Sequence, residues 1–296
     1  MIVLRIWRPA TPPLLSSPFT SSQPIHPPPP NLTFPLAKIS LGFNGARSLT
    51  FTRRRTNHQP RTANSYMAEV DSSVVNPTNA EIIVVRHGET DWNADGRIQG
   101  HLDVELNDAG RQQAAAVADR LSREPSISVV YSSDLKRALE TAQIIAASCG
   151  GLEVVKKPDL RERHLGDLQG LVLREAAKLS PKAYQAFLNQ RTDQEIPGGG
   201  ESLDQLYERC TSSLERIGKK HKGERVLVVT HGGVIRTLYK RACPNGRPQG
   251  KVLNTSINIF RLSDKDEWTI KLWGDVSHLD KTGFLESGFG GDRTSG

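Results

Sequence analysis

Residues 81–88 read Glu81-Ile82-Ile83-Val84-Val85-Arg86-His87-Gly88, and residues 225–233 read Arg225-Val226-Leu227-Val228-Val229-Thr230-His231-Gly232-Gly233. Each is a run of four aliphatic residues closed by a polar residue, a histidine and a glycine. Consecutive aliphatic residues without polar alternation describe a short strand buried on both faces, as in a parallel sheet covered by helices. In open α/β sheets ligands bind beyond the carboxyl ends of the strands. If the two runs lie side by side, both imidazoles face one crevice. The glycines behind them would let a phosphate approach backbone N–H groups, and a helix starting after His231 would turn its positive end toward that phosphate. One histidine after a strand is usually a satisfied structural residue. Two such sites, one with an arginine directly before it, point to function.

Outward from these runs, strands and helices alternate. Asn107 is placed to cap a helix through Gln112, Ala116 and Leu121 to about Arg123. Ser128 to Tyr131 reads as a strand. A helix with an apolar stripe at Ala138, Ala142, Ile145 and Ala146 follows and ends at Gly150-Gly151, before a third strand over Leu152 to Val155. Helices are expected in 171–179 and 181–190. Gly198-Gly199-Gly200 breaks the chain, and Ser202 caps a long helix with Leu203, Leu206, Cys210, Leu214 and Ile217 on one face. Ser256 to Leu262 and Trp268 to Trp273 read as an antiparallel pair joined by the Ser263-Asp264-Lys265-Asp266 turn. The fold expected is a three-layer α/β/α sandwich with a mostly parallel central sheet, forming one domain over residues 78–280 and followed by a Gly-rich tail at 281–296.

Charge is uneven along the 296 residues. The first 68 contain eight Lys/Arg and no Asp or Glu, so with a total of +7 the remainder sums to −1. The basic character belongs to a leader, and the nearly neutral body argues against a nucleic-acid-binding surface. No aromatic residues interleave Arg53-Arg54-Arg55 to stack on bases. The leader is rich in Pro, Ser and Thr and has no apolar period, so it is expected to be disordered. Its composition suits an organelle transit peptide, and its prolines favour chloroplast over mitochondrion. The other reading is that translation starts at Met67, which leaves a cytoplasmic protein. No apolar run approaches the roughly 20 residues of a membrane span. Cys149, Cys210 and Cys243 have neither metal nor disulfide spacing.

Four segments taken together resemble the histidine phosphatase superfamily, which includes the cofactor-dependent phosphoglycerate mutases, and within it the plant phosphoglycerate-mutase-like proteins. Arg86-His87-Gly88-Glu89-Thr90 with Asn93 is similar to the opening motif. Ser132-Ser133-Asp134-Leu135-Lys136-Arg137-Ala138 resembles the segment with the second phosphate-binding arginine. Leu160-Arg161-Glu162 ahead of Gly166 and Gly170 is similar to the segment with the acid, and Thr230-His231-Gly232-Gly233 to the one with the second histidine. The resemblance spans roughly residues 81 to 276 and implies the following roles. His87 is the nucleophile that becomes phosphohistidine, Glu162 the general acid and base, and His231 a second catalytic histidine that helps neutralise the phosphate oxygens. Arg86, Asn93, Arg137 and Gly232 bind the phosphate. Thr90, Gln99, Arg163 and His164 are candidates to touch the rest of the substrate.

The residue types suit phosphoryl transfer. Arginine forks and an imidazole neutralise the phosphate oxygens, so neither a metal ion nor another cofactor is called for. A neutral histidine attacks phosphorus, and a carboxyl kept partly protonated serves the leaving alkoxide. Departures from the mutase pattern favour a phosphatase of small phosphorylated metabolites. Leu165 replaces a tyrosine of the mutases, and 171–200 carries only scattered Arg174, Lys178, Lys182 and Arg191. Asp103-Val104-Glu105-Leu106, where the family often has Asp-x-Pro-Leu, is a loop change that puts little in doubt. A phosphoglycerate mutase is the nearest alternative, and a non-catalytic phosphate-binding module the next. The expected partner is the small metabolite, with no nucleic acid and no membrane. Oligomeric state is not readable, and a homodimer is left open.

Overall fold

The six strands of the sheet run in the spatial order β3-β2-β4-β1-β5-β6 in a computed structural model that describes residues 77–189, 191–246 and 250–280. The leader, Met67 and the 281–296 tail lie outside the described residues. In chain order the elements are β1 (Ala80–Arg86), α1 (Asp91–Ala94), α2 (Asp108–Ser122), β2 (Val129–Ser132), α3 (Lys136–Ser148), β3 (Val154–Lys156), α4 (Leu173–Leu179), α5 (Pro181–Leu188), α6 (Leu203–Lys220), β4 (Arg225–Thr230), α7 (Gly232–Ala242), β5 (Ile257–Leu262) and β6 (Trp268–Asp275). Single 3-10 turns lie at Pro158–Leu160, Gly166–Leu168 and Ser277–Leu279.

β3, β2, β4 and β1 are parallel, and β5 and β6 add an antiparallel edge. The expected mostly parallel sheet is found, with the late hairpin where its turn signal placed it. β1 shows why both faces are covered. Ile82 and Val84 pack with Leu206, Cys210 and Leu214 of α6 and with Val234 and Leu238 of α7. Ile83 and Val85 point the other way, onto Val117 and Leu121 of α2 and Ala142 and Ile145 of α3. Side chains alternate across a strand, so four aliphatics in a row fill two cores at once.

Local signals set the helix starts. The Asn107 side chain accepts from the Gly110 N–H, and Ser202 and Gln205 form a reciprocal capping box on α6. Strand ends differ from the sequence reading by a residue or two, as hydrogen-bond ladders set boundaries that propensity does not. α1 and the 3-10 turns were not anticipated, because elements of three or four residues carry no readable period. The 165–196 stretch has a small core of its own, in which Ile98, Leu165, Leu168, Ala176, Ala183 and Ile196 are buried.

Candidate active site

β1 and β4 are neighbours in parallel register, with Arg86 opposite Thr230. The residues that follow, His87 and His231, therefore meet at the carboxyl end of the sheet, their ring centroids 5.2 Å apart and tilted by 55°. Both rings are buried. Nδ1 of His87 lies 2.6 Å from the carbonyl oxygen of Gly88. A carbonyl only accepts, so Nδ1 carries the proton, and in the neutral ring Nε2 keeps its lone pair. Burial, then the charges of Arg137 and Arg86, hold the His87 pKa well below its ordinary value of 6.5. The ring is thus neutral, with its unprotonated nitrogen fixed in direction. His231 is depressed in the same way, by burial and then by Arg137, His87 and Arg86. Neither of its ring nitrogens has a hydrogen-bond partner among the described residues.

The two phosphate-binding arginines of the sequence reading are buried beside these rings. Arg86 donates from Nη1 to Val252 O at 2.7 Å. Arg137, in the first turn of α3, is 1% exposed and donates to Gly100 O and Leu102 O at 2.8 and 3.0 Å. Burial lowers its pKa to about 10, which leaves it charged at neutral pH. A solvated place on an amphipathic helix, the ordinary expectation for such a residue, is excluded.

Glu162 is 8% exposed and accepts from the Arg163 N–H and, through both oxygens, from the Gly233 N–H. Burial raises its pKa, against the opposing pull of those N–H groups and of Arg137 and Arg86. The carboxyl therefore keeps its proton closer to neutrality than a surface glutamate, as a general acid requires. Arg161 does not pair with it but forms a two-pronged bridge to Asp134.

One expectation is corrected. The glycines do not all open backbone N–H groups to a phosphate. Gly88 donates to Thr141 Oγ1, and a Cβ on it would stand 2.5 Å from Gly110 O, so this glycine lets α2 approach the strand end. The start of α7 is shared with the acid through Gly233, and the Gly232 N–H keeps no partner among the described residues. Thr90 forms a capping box with Asn93 that starts α1, so its N–H and hydroxyl are engaged within the chain.

The other candidates are placed as follows. Asn93 is buried, its side-chain oxygen taken by Thr90 and, at 3.4 Å, by Asn254. Gln99 is buried, and its side-chain oxygen has no partner among the described residues. Arg163 is 3% exposed and donates from Nε to Glu201 O. His164 stacks edge-on with His101 at 4.8 Å, and His101 is bonded through Nε2 to Glu162 O at 2.7 Å.

Several residues that hold the site in place were missed. The Val252–Ser256 loop reaches back to the end of β1, with Asn254 donating to His87 O at 2.9 Å and the Thr255 N–H to Arg86 O at 3.0 Å. Glu201 and Arg209 hold the segment that carries Glu162. The polar run Asn254-Thr255-Ser256 directly before a strand was a faint signal for the loop. No sequence signal links Arg209 to Glu162, 47 residues earlier.

A model of the histidine phosphatase superfamily, branch 1, matches residues 82–276. Over 217 residues the chain is 73% identical to phosphoglycerate mutase-like protein 4 of Arabidopsis thaliana, covering 73% of this chain and 94% of that protein. It is 55% identical over 212 residues to a metal-independent phosphoserine phosphatase of the same plant, covering 72% of this chain and 88% of the relative. Among solved structures it is similar to the phosphoserine phosphatase of Entamoeba histolytica in complex with 3-phosphoglyceric acid. There the TM-score is 0.58 and the identity 28%, over 68% of this chain and 99% of that one.

Proposed function

This chain belongs to the histidine phosphatase superfamily and is a phosphatase of small phosphorylated molecules, and on that premise we propose that it works through a phosphohistidine on His87, without a metal ion, with O-phosphoserine as its substrate. The observation that carries the mechanism is the pair of adjacent imidazoles, of which one is pinned by Gly88 O and the other has no partner for either nitrogen among the described residues. Arg86, Arg137 and His231 hold the phosphate oxygens. Nε2 of His87 forms the N–P bond as the ester P–O bond breaks, and the Glu162 proton passes to the leaving alkoxide. Water then attacks phosphorus, its proton returns to Glu162, and phosphate leaves His87 neutral again.

For the substrate, support comes from the names of two relatives and from Arg163. O-phosphoserine and 3-phosphoglycerate are both three-carbon acids esterified at a primary alcohol. Arg163 lies close enough to Glu162 to feel its charge, and beyond its Nε bond the fork has no protein acceptor among the described residues. A substrate carboxylate matches such a fork. A mutase needs further cations to retain a bisphosphorylated intermediate, and 171–200 does not turn its cations inward. Arg174 is 82% exposed beside Glu175, Arg191 pairs with Asp193, and Lys178 and Lys182 are exposed.

The test is to incubate the protein with O-phosphoserine and with 3-phosphoglycerate plus 2,3-bisphosphoglycerate, following free phosphate and 2-phosphoglycerate. Phosphate release from phosphoserine should be the fastest reaction. Isomerisation faster than hydrolysis of every monoester tried would overturn the reading in favour of a mutase.

A further inference from the structure

We propose that Arg209 and Glu201 form a strut that positions the general acid, so that they tune proton delivery to the leaving group without touching substrate. The proposal rests on the reading of Glu162 as that acid. Glu162 sits in an irregular stretch between the 3-10 turns at Pro158–Leu160 and Gly166–Leu168, where no ladder or helix pairs its backbone. Irregular buried backbone needs its carbonyls satisfied from elsewhere.

Arg209, on the second turn of α6, meets that need from one side. Its Nη1 donates to Asp159 O at 2.8 Å and Arg161 O at 3.0 Å, and its Nη2 to Glu162 O at 3.2 Å. The same guanidinium grips Glu201 in two-pronged fashion, Nε to Oε1 at 2.7 Å and Nη2 to Oε2 at 2.8 Å. Glu201 works from the other side. Its Oε2 accepts from the His164 N–H and its own N–H donates to His164 O, both at 2.8 Å, while its carbonyl accepts Arg163 Nε at 3.0 Å. The backbone on both sides of Glu162 is thereby tied to one rigid helix by one ion pair. The pair is only 20% and 19% exposed, and Arg209 with the His164 N–H holds the Glu201 pKa below its ordinary value although burial pushes it up.

A helix with a polar face toward a loop commonly does nothing more than stabilise it. Positioning makes a different demand, because a proton donor displaced by about 1 Å can lose up to about 10²-fold in rate. The loss then falls on esters whose leaving group needs the proton. Arginine is required because five donors in a planar fork serve three carbonyls and a carboxylate at once, which a lysine ammonium cannot do.

The experiment measures kcat/KM, which covers the steps through ester cleavage, for O-phosphoserine and p-nitrophenyl phosphate with Arg209→Lys, Glu201→Gln and, as the reference, Glu162→Gln. Glu162→Gln should lose about 10²–10⁴-fold on phosphoserine and far less on p-nitrophenyl phosphate, whose anion leaves unprotonated. Arg209→Lys should lose about tenfold on phosphoserine and stay within about threefold on p-nitrophenyl phosphate, and Glu201→Gln should show the same selectivity more weakly. If Glu162→Gln is selective while both strut variants slow the two esters equally, or slow neither, the strut is merely structural and the proposal falls. If Glu162→Gln itself is unselective, the acid assignment fails and takes the proposal with it. A variant that loses folded protein lowers both substrates by one factor, so the ratio between substrates remains the deciding quantity.

Discussion

The ends of β1 and β4 are near copies in sequence and opposites in circumstance. Both deliver a histidine and a glycine from four buried aliphatics, in register, to the same crevice. Yet the first imidazole is pinned by the next carbonyl, its own carbonyl is held by Asn254, and its glycine is wedged against α2. The second imidazole opens a helix, and its two nitrogens have no partner among the described residues. A nucleophile must present one nitrogen along one line, so its tautomer is set from behind. A phosphate-binding imidazole gains nothing from being set beforehand, since the phosphate orients it. Surroundings, not motif, separate the two rings, as the proposed division into nucleophile and phosphate binder requires.

The sharpest way to break that division is to remove each ring in turn. His87→Ala should abolish turnover and leave no phosphoenzyme. His231→Ala should cost about 10²–10³ in kcat, the scale of one lost transition-state donor, while a base-stable, acid-labile phosphoenzyme still forms on His87. Label that maps to His231, or to a serine, ends the assignment.

Next in size is the glycine asymmetry. Gly88→Ala puts a Cβ against Gly110 backbone, where no side chain can swing away, and should destabilise the fold by about 1–3 kcal/mol. Thermal unfolding measures it, and an unchanged Tm would show that α2 is free to retreat from the strand end.

A smaller effect follows from the depressed histidines. In the unfolded chain they titrate near the ordinary 6.5, whereas the folded site holds both well below it. As pH drops through 6.5 the unfolded state binds protons that the native state refuses, so stability is full above that pH and is lost below it. Glu162 works in the other sense, because its raised pKa makes the buried anion unfavourable at neutral pH and that penalty fades on acidification. Replacing His231 by Asn should therefore flatten the fall of Tm between about pH 7 and 5. An equally steep fall would place the acid sensitivity elsewhere.

The smallest expected effect is none at all. With Arg86 and Arg137 buried beside the rings, chelation by EDTA should leave activity unchanged, and vanadate should inhibit by imitating five-coordinate phosphorus. Activity lost on chelation and restored by Mg²⁺ or Zn²⁺ would mean that the arginines do not suffice.

By itself the sequence determined the layered α/β architecture and the placing of His87, Arg86, Arg137, Glu162 and His231. Four aliphatics in a row can only be buried on both faces, and residues at strand ends and first helical turns inherit their positions from those elements. Local chemistry likewise made the Asn107 and Ser202 caps legible. Other features depend on groups far apart in the chain, and only the tertiary structure decided them. Gly88 was a plausible phosphate cradle until α2 came to rest on it. Asn254 reaches back 167 residues to His87 O, and Arg209 reaches 47 to Glu162 O. A hydrogen bond needs only about 3 Å in space and leaves no period or spacing in the chain, so contacts of this kind exist only once the layers have packed.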